Sequence, residues 1–193
     1  MPSDPWTFGW DQIIAASNFG AIVVGIFVAR DSLKKWQGER VAARQCEIAE
    51  EVISIVYEAR GVFDDIRNPG YAGSVPKVIF ERLHSYKLYW ERIQKARIGA
   101  GVYFGGAGLA PLNEIIKLKN RVIVAAASID SANRRLTGVS EEKREKLLLE
   151  MDSFEEFLFD ASPTSSITKD IDLATEQVEK ALLPILRKFK SGG

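Results

Sequence analysis

The sequence predicts an all-α protein, an N-terminal transmembrane helix followed by an antiparallel four- to five-helix bundle. Three observations predict it. Gln12 to Ala29 is a run of eighteen residues without a charge. As a helix rising ~1.5 Å per residue it is ~27 Å long, close to the ~30 Å hydrocarbon core of a bilayer. Beyond it, apolar residues recur three and four apart in five successive blocks, which is the helical period. No stretch alternates apolar and polar residues convincingly enough to be a strand.

The flanks of the first run fit a membrane. Trp6 and Trp10 precede it and Trp36 follows. On one helix Trp10 and Trp36 are ~39 Å apart, from one headgroup region to the other, where Trp is enriched. Residues 1–11 hold Asp4 and Asp11 and no cation, whereas Arg30, Lys34, Lys35, Arg40 and Arg44 come directly after the run. Positive residues stay cytoplasmic. The expected layout is an extracytoplasmic tail (1–11), a transmembrane helix with its interface (12–35) and a cytoplasmic bundle (36–193). A cleaved signal peptide needs a basic stretch ahead of the apolar run, and none stands there.

The bundle helices follow in order. Val41, Gln45, Ile48, Val52, Ile55, Ala59, Val62 and Ile66 form a heptad seam, widened by Ala49, Ile53, Val56 and Phe63. Asn68-Pro69-Gly70 stops this helix. Pro76 opens a second helix with Ile79, Leu83, Tyr86, Trp90, Ile93 and Arg97 on its seam. The Gly-rich stretch Gly99–Pro111 is expected as a loop, and a third helix runs from about 111 to 136, with Gly138 as its stop. Ser140, followed by Glu141 and Glu142, opens a shorter helix carrying Leu147, Met151, Phe154 and Leu158. Ser162-Pro163 breaks the chain, and a last helix starts near Ser165 or Ser166, with Pro184 kinking it or ending its regular part.

Composition narrows function. Lys plus Arg and Asp plus Glu both number 26, and this neutrality makes a poor nucleic-acid binder. One cysteine, Cys46, gives no intramolecular disulfide and no cysteine zinc cluster; it reads as a small packed side chain. His84 is the one histidine, so a carboxylate-bridged di-metal site with two Glu-x-x-His pairs is ruled out. His84 reads as a surface group. No catalytic residue, metal ligand or cofactor is assigned. The Gly-rich stretch lacks the Gly-Lys-Ser/Thr of a phosphate loop and the strand of a dinucleotide fold.

Four groups of residues remain as binding candidates. Ile98 to Asn113 carries no charge, and Tyr103 and Phe104 within it are expected at the bilayer interface together with Trp10 and Trp36. The alternative is that they cap the bundle core. Ser17, Ala21, Gly25 and Ala29, four apart and small, form a face on which two spans would pack as a homodimer. Arg97 and Lys119 interrupt apolar seams, as do Gln45 and Asn133. They are read as reaching water from helix ends, or as sharing a layer that holds an anion or lipid headgroup. Leu148, Phe157 and Phe159 lie beyond the seam of the 141–160 helix, as a protein-partner surface. Arg187, Lys188 and Lys190 complement the dipole of the last helix.

Ala49-Glu-Glu-Val-Ile-Ser-Ile-Val-Tyr-Glu-Ala-Arg60, Asp65-Ile-Arg-Asn-Pro69 and Tyr89-Trp-Glu-Arg-Ile93 together resemble uncharacterised bacterial proteins with one N-terminal span and a helical cytoplasmic region. That resemblance implies architecture and setting, a bacterial inner membrane with the N-terminus outside, and no activity. The leading reading is a membrane-anchored interaction or scaffold protein, not an enzyme, with lipid and another protein or a second copy as partners. A second reading is a ligand sensor or enzyme using carboxylates or Arg97 and Lys119. A third is a soluble bundle with residues 12–29 buried.

Overall fold

The computed structural model describes residues 10–68, 75–160 and 162–191, and side-chain surroundings for 24–68, 75–160 and 162–189. Five helices follow one another: α1 (Trp10–Ile66), α2 (Val75–Ser85), α3 (Lys87–Arg135), α4 (Glu141–Phe159) and α5 (Ser166–Ser191). The described residues contain no strand, so the protein is all-α. The chain divides into two compact units, Met1–Arg44 and Gln45–Gly193.

In the first unit, Val24, Ile26, Phe27 and Val28 are 63%, 62%, 62% and 61% exposed. Among the described residues no helix is long and apolar enough to cross a membrane. The side chains of residues 12–23, most of the uncharged run, lie outside the described residues, as do those of Trp6, Trp10, Ser17 and Ala21. Gly25 has open space where a side chain would stand, and Ala29 is exposed.

The second unit is a helical bundle around a core of close-packed aliphatic side chains. From Ile48 on, the α1 seam is buried as its spacing predicts, with Val52, Ile55, Ala59 and Ile66 inaccessible and Ala49, Val56 and Phe63 beside them, whereas Val41 at its head is 49% exposed. Cys46 is buried at the start of this unit. In α5 Ile167, Ile171, Ala174, Val178 and Leu182 are buried, and the helix continues through Pro184 to Ser191.

Three local features differ from expectation. The predicted second helix is broken at Tyr86, where the Arg82 carbonyl accepts from both the Ser85 hydroxyl at 2.7 Å and the Tyr86 amide at 3.3 Å. The predicted Gly-rich loop is helical on both sides of one residue, Gly105, at φ 57° and ψ −139°. The chain reverses there. A Cβ on Gly101 would meet Leu109 at 3.5 Å, and one on Gly108 would meet Phe104 Cβ at 2.8 Å and Ala100 Cβ at 3.3 Å. Gly108 thus lets two limbs of α3, 87–104 and 106–135, approach closely as a helical hairpin, while Gly101 has room for a methyl. Finally, Ser140 stands at the N-cap of α4 in extended conformation without a side-chain capping bond, whereas Ser165 caps α5 by accepting from the Thr168 amide at 3.1 Å.

Gly138 lies at φ 83°, the left-handed stop expected after α3. Contacts place the ends of the bundle. A Cβ at Gly99 would touch Ile48 at 3.1 Å and Tyr89 donates to the Ile55 carbonyl at 2.9 Å, so the first limb of α3 runs antiparallel to α1. Tyr57 donates to Glu179 at 2.5 Å and Arg60 lies 3.5 Å from Asp172, so α5 is antiparallel to α1 as well. The Gly105 corner and the C-terminus of α5 therefore share the end at which the chain enters this unit at Gln45.

Candidate functional site

Two surfaces of the second unit gather side chains of binding character. The first is a cleft built on Trp90. Its indole is fixed: Nε1 donates to the Leu83 carbonyl at 3.0 Å, and Phe63 and Tyr89 meet the ring edge-on at 6.0 and 4.9 Å. Tyr89 is pinned in turn by donating to the Ile55 carbonyl at 2.9 Å, and burial pushes its phenol pKa up. The held ring receives the Lys119 ammonium 4.7 Å from its centre, a cation–π contact. Burial lowers the Lys119 pKa. His84, Lys87, Glu91 and Gln94 complete a cleft of about 290 Å³, with Lys87 3.7 Å from Glu91 and His84 exposed at the rim.

Arg97 does not share the Lys119 layer. It sits seven residues, ~10 Å, beyond Trp90 on the same limb, where its Nη1 donates to Gln94 Oε1 at 3.0 Å. Gln94 is the link between Arg97 and the cleft. Gln45 is half-buried and Asn133 exposed.

The second surface is the Gly105 end. Tyr103 and Phe104 are half-buried and pack against the core, which is the capping alternative. Ile98 and Val102, by contrast, are 73% and 74% exposed. Arg187 and Lys188 are exposed at the same end, while the Lys190 side chain lies outside the described residues.

Two of the three α4 candidates are partly covered. Phe157 lies under the Arg121 guanidinium, 4.9 Å from its ring centre, and Phe159 packs partly against the core, while Leu148 is exposed. Arg121, Val124 and Ala125 face Ser153, Phe154 and Phe157 across a groove of about 420 Å³. These pairings set α4 beside the distal half of α3, so it does not span the full bundle.

Two arginines missed by seam reading are the most buried cations. Arg82 Nη1 donates to the carbonyls of Asp65, Ile66 and Asn68 at 2.8, 3.0 and 2.5 Å, closing the C-terminus of α1. Arg67 donates to the Asp160 carbonyl at 2.9 Å and to Asp64 at 2.7 Å, tying α1 to the α4–α5 connection. The signal for both was position: helix ends leave carbonyls that need donors. No family model, no curated protein and no solved structure matches the chain.

Proposed function

We propose that the chain is a single-span membrane protein of the bacterial inner membrane whose helical bundle works by binding on the cytoplasmic side. The observation that carries this reading is the exposure of Val24, Ile26, Phe27 and Val28. Steps of ~100° per residue spread these four over ~200° of the helix surface, and Gly25 stands in the remaining arc. A helix facing a soluble core is apolar on one stripe, whereas one apolar all round suits lipid. Trp36 follows with the Arg40 guanidinium 4.1 Å from its ring centre, an amphipathic pair suited to the headgroup level. The cations from Arg30 to Arg44 orient the bundle inward. Protein partners, or a second copy through Gly25 and Ala29, are the expected company. Alkaline carbonate extraction of membranes tests the reading; the chain is expected in the pellet, and release to the supernatant contradicts it.

A further inference from the structure

We propose that the Gly105 end of the bundle is itself a lipid-binding surface, resting on an anionic leaflet through Ile98 and Val102, with Arg187 and Lys188 at the same end. This rests on the membrane-anchored reading and adds a second, peripheral contact to it.

Four observations on one end of the second unit carry the proposal. Sixteen consecutive residues, Ile98 to Asn113, have no charge, although 27% of the chain is charged. Ile98 and Val102 stand one helical turn apart on one face, at 73% and 74% exposure. Gly105, Gly106 and Ala107 at the corner are exposed too, so no bulky polar group separates that face from a flat surface. The α5 terminus brings cations to the same end. Glu179 is level with Tyr57, and ten further residues, ~15 Å of helix, carry Phe189 to the level of Ile48 and Gly99. Arg187, Lys188 and Phe189 are all exposed there.

An end that exposes both aliphatic side chains and cations complements a bilayer with anionic headgroups: aliphatic side chains enter the interface and cations meet the negative leaflet. The chain enters this unit at Gln45, at the same end, directly after Arg30, Lys34, Lys35, Arg40 and Arg44.

The test uses the full chain in vesicles of phosphatidylcholine with phosphatidylserine, with Cys46→Ala and a fluorophore on Val102→Cys. Leu88→Cys is the control, equally exposed at 74% but near the opposite end of the same limb. Flotation reports anchoring, and a nitroxide-bearing lipid reports contact. Several-fold stronger quenching at 102 than at 88, reduced by Arg187→Glu with Lys188→Glu or by phosphatidylcholine alone, is expected while flotation persists. Flotation with equal quenching at the two positions overturns the surface and leaves the anchor. Quenching at 102 that ignores both charge reversal and lipid charge overturns the anionic assignment. A chain that does not float overturns both readings.

Discussion

The ammonium of Lys119 stands over the ring of Trp90, at 4.7 Å from its centre, and the two side chains come from opposite limbs of one helical hairpin. Burial lowers the Lys119 pKa below its ordinary value of 10.5. The folded state thus releases this proton before the unfolded state does. Where the unfolded chain binds more protons, stability rises with pH, so the burial penalty at neutral pH is relieved between the folded and the unfolded pKa. Urea unfolding at about pH 8 and about pH 10 should show wild type gaining stability relative to Lys119→Met. An unchanged difference at the two pH values rules out the effect.

Arg82 ties three carbonyls at the end of α1. Arg82→Met leaves them without that donor and is expected to cost about 2–3 kcal/mol, read as a lower urea midpoint. Arg82→Lys should recover only part, since one compact ammonium does not reproduce the guanidinium fork. Equal stability of Arg82→Met and wild type would mean the arginine does not close the helix.

At Gly105, φ 57° with ψ −139° is a backbone region that side chains disfavour, so Gly105→Ala should destabilise by about 1–3 kcal/mol. Gly106 has helical backbone and open space where a Cβ would stand. Gly106→Ala should therefore be neutral or stabilising by up to about 1 kcal/mol. Thermal melts of the two variants check the pair, and similar losses in both contradict a single-residue corner.

Gly25 and Ala29 stand on an open surface of the first unit. If small residues let two spans approach, Gly25→Leu reduces crosslinking of the chain to itself in membranes. Crosslinking unchanged by the leucine assigns dimerisation, if any, to another face.

The bundle was legible where spacing governs packing. Val52, Ile55 and Ala59 in α1, or Ile171, Ala174 and Val178 in α5, recur at helical period because one stripe faces the core. Glycine hid the rest: low helix propensity makes Gly99–Pro111 read as a loop, yet Gly99 and Gly108 are small where helices come close. Of the site, Lys119 was visible as a charge on an apolar seam, but its partner depends on the Gly105 reversal, which spacing does not encode. Arg82 escaped because its acceptors are backbone carbonyls at a helix end, which no side-chain pattern records, and the Asp160 carbonyl that Arg67 reaches is hidden in the same way, although its i,i+3 partner Asp64 is not. Phe157 and Phe159 read as a free surface in the sequence, and tertiary packing covers them in part.

The central claim is that the first helix meets lipid on its apolar surface while the bundle folds around its own core. Ile26→Asp combined with Val28→Asp in the full chain tests it, read by carbonate extraction and by the melting of the bundle. The account predicts that the variant moves from the membrane pellet to the supernatant with its melting transition unchanged. A variant that stays in the pellet, or whose bundle melts at a clearly lower temperature, would contradict it.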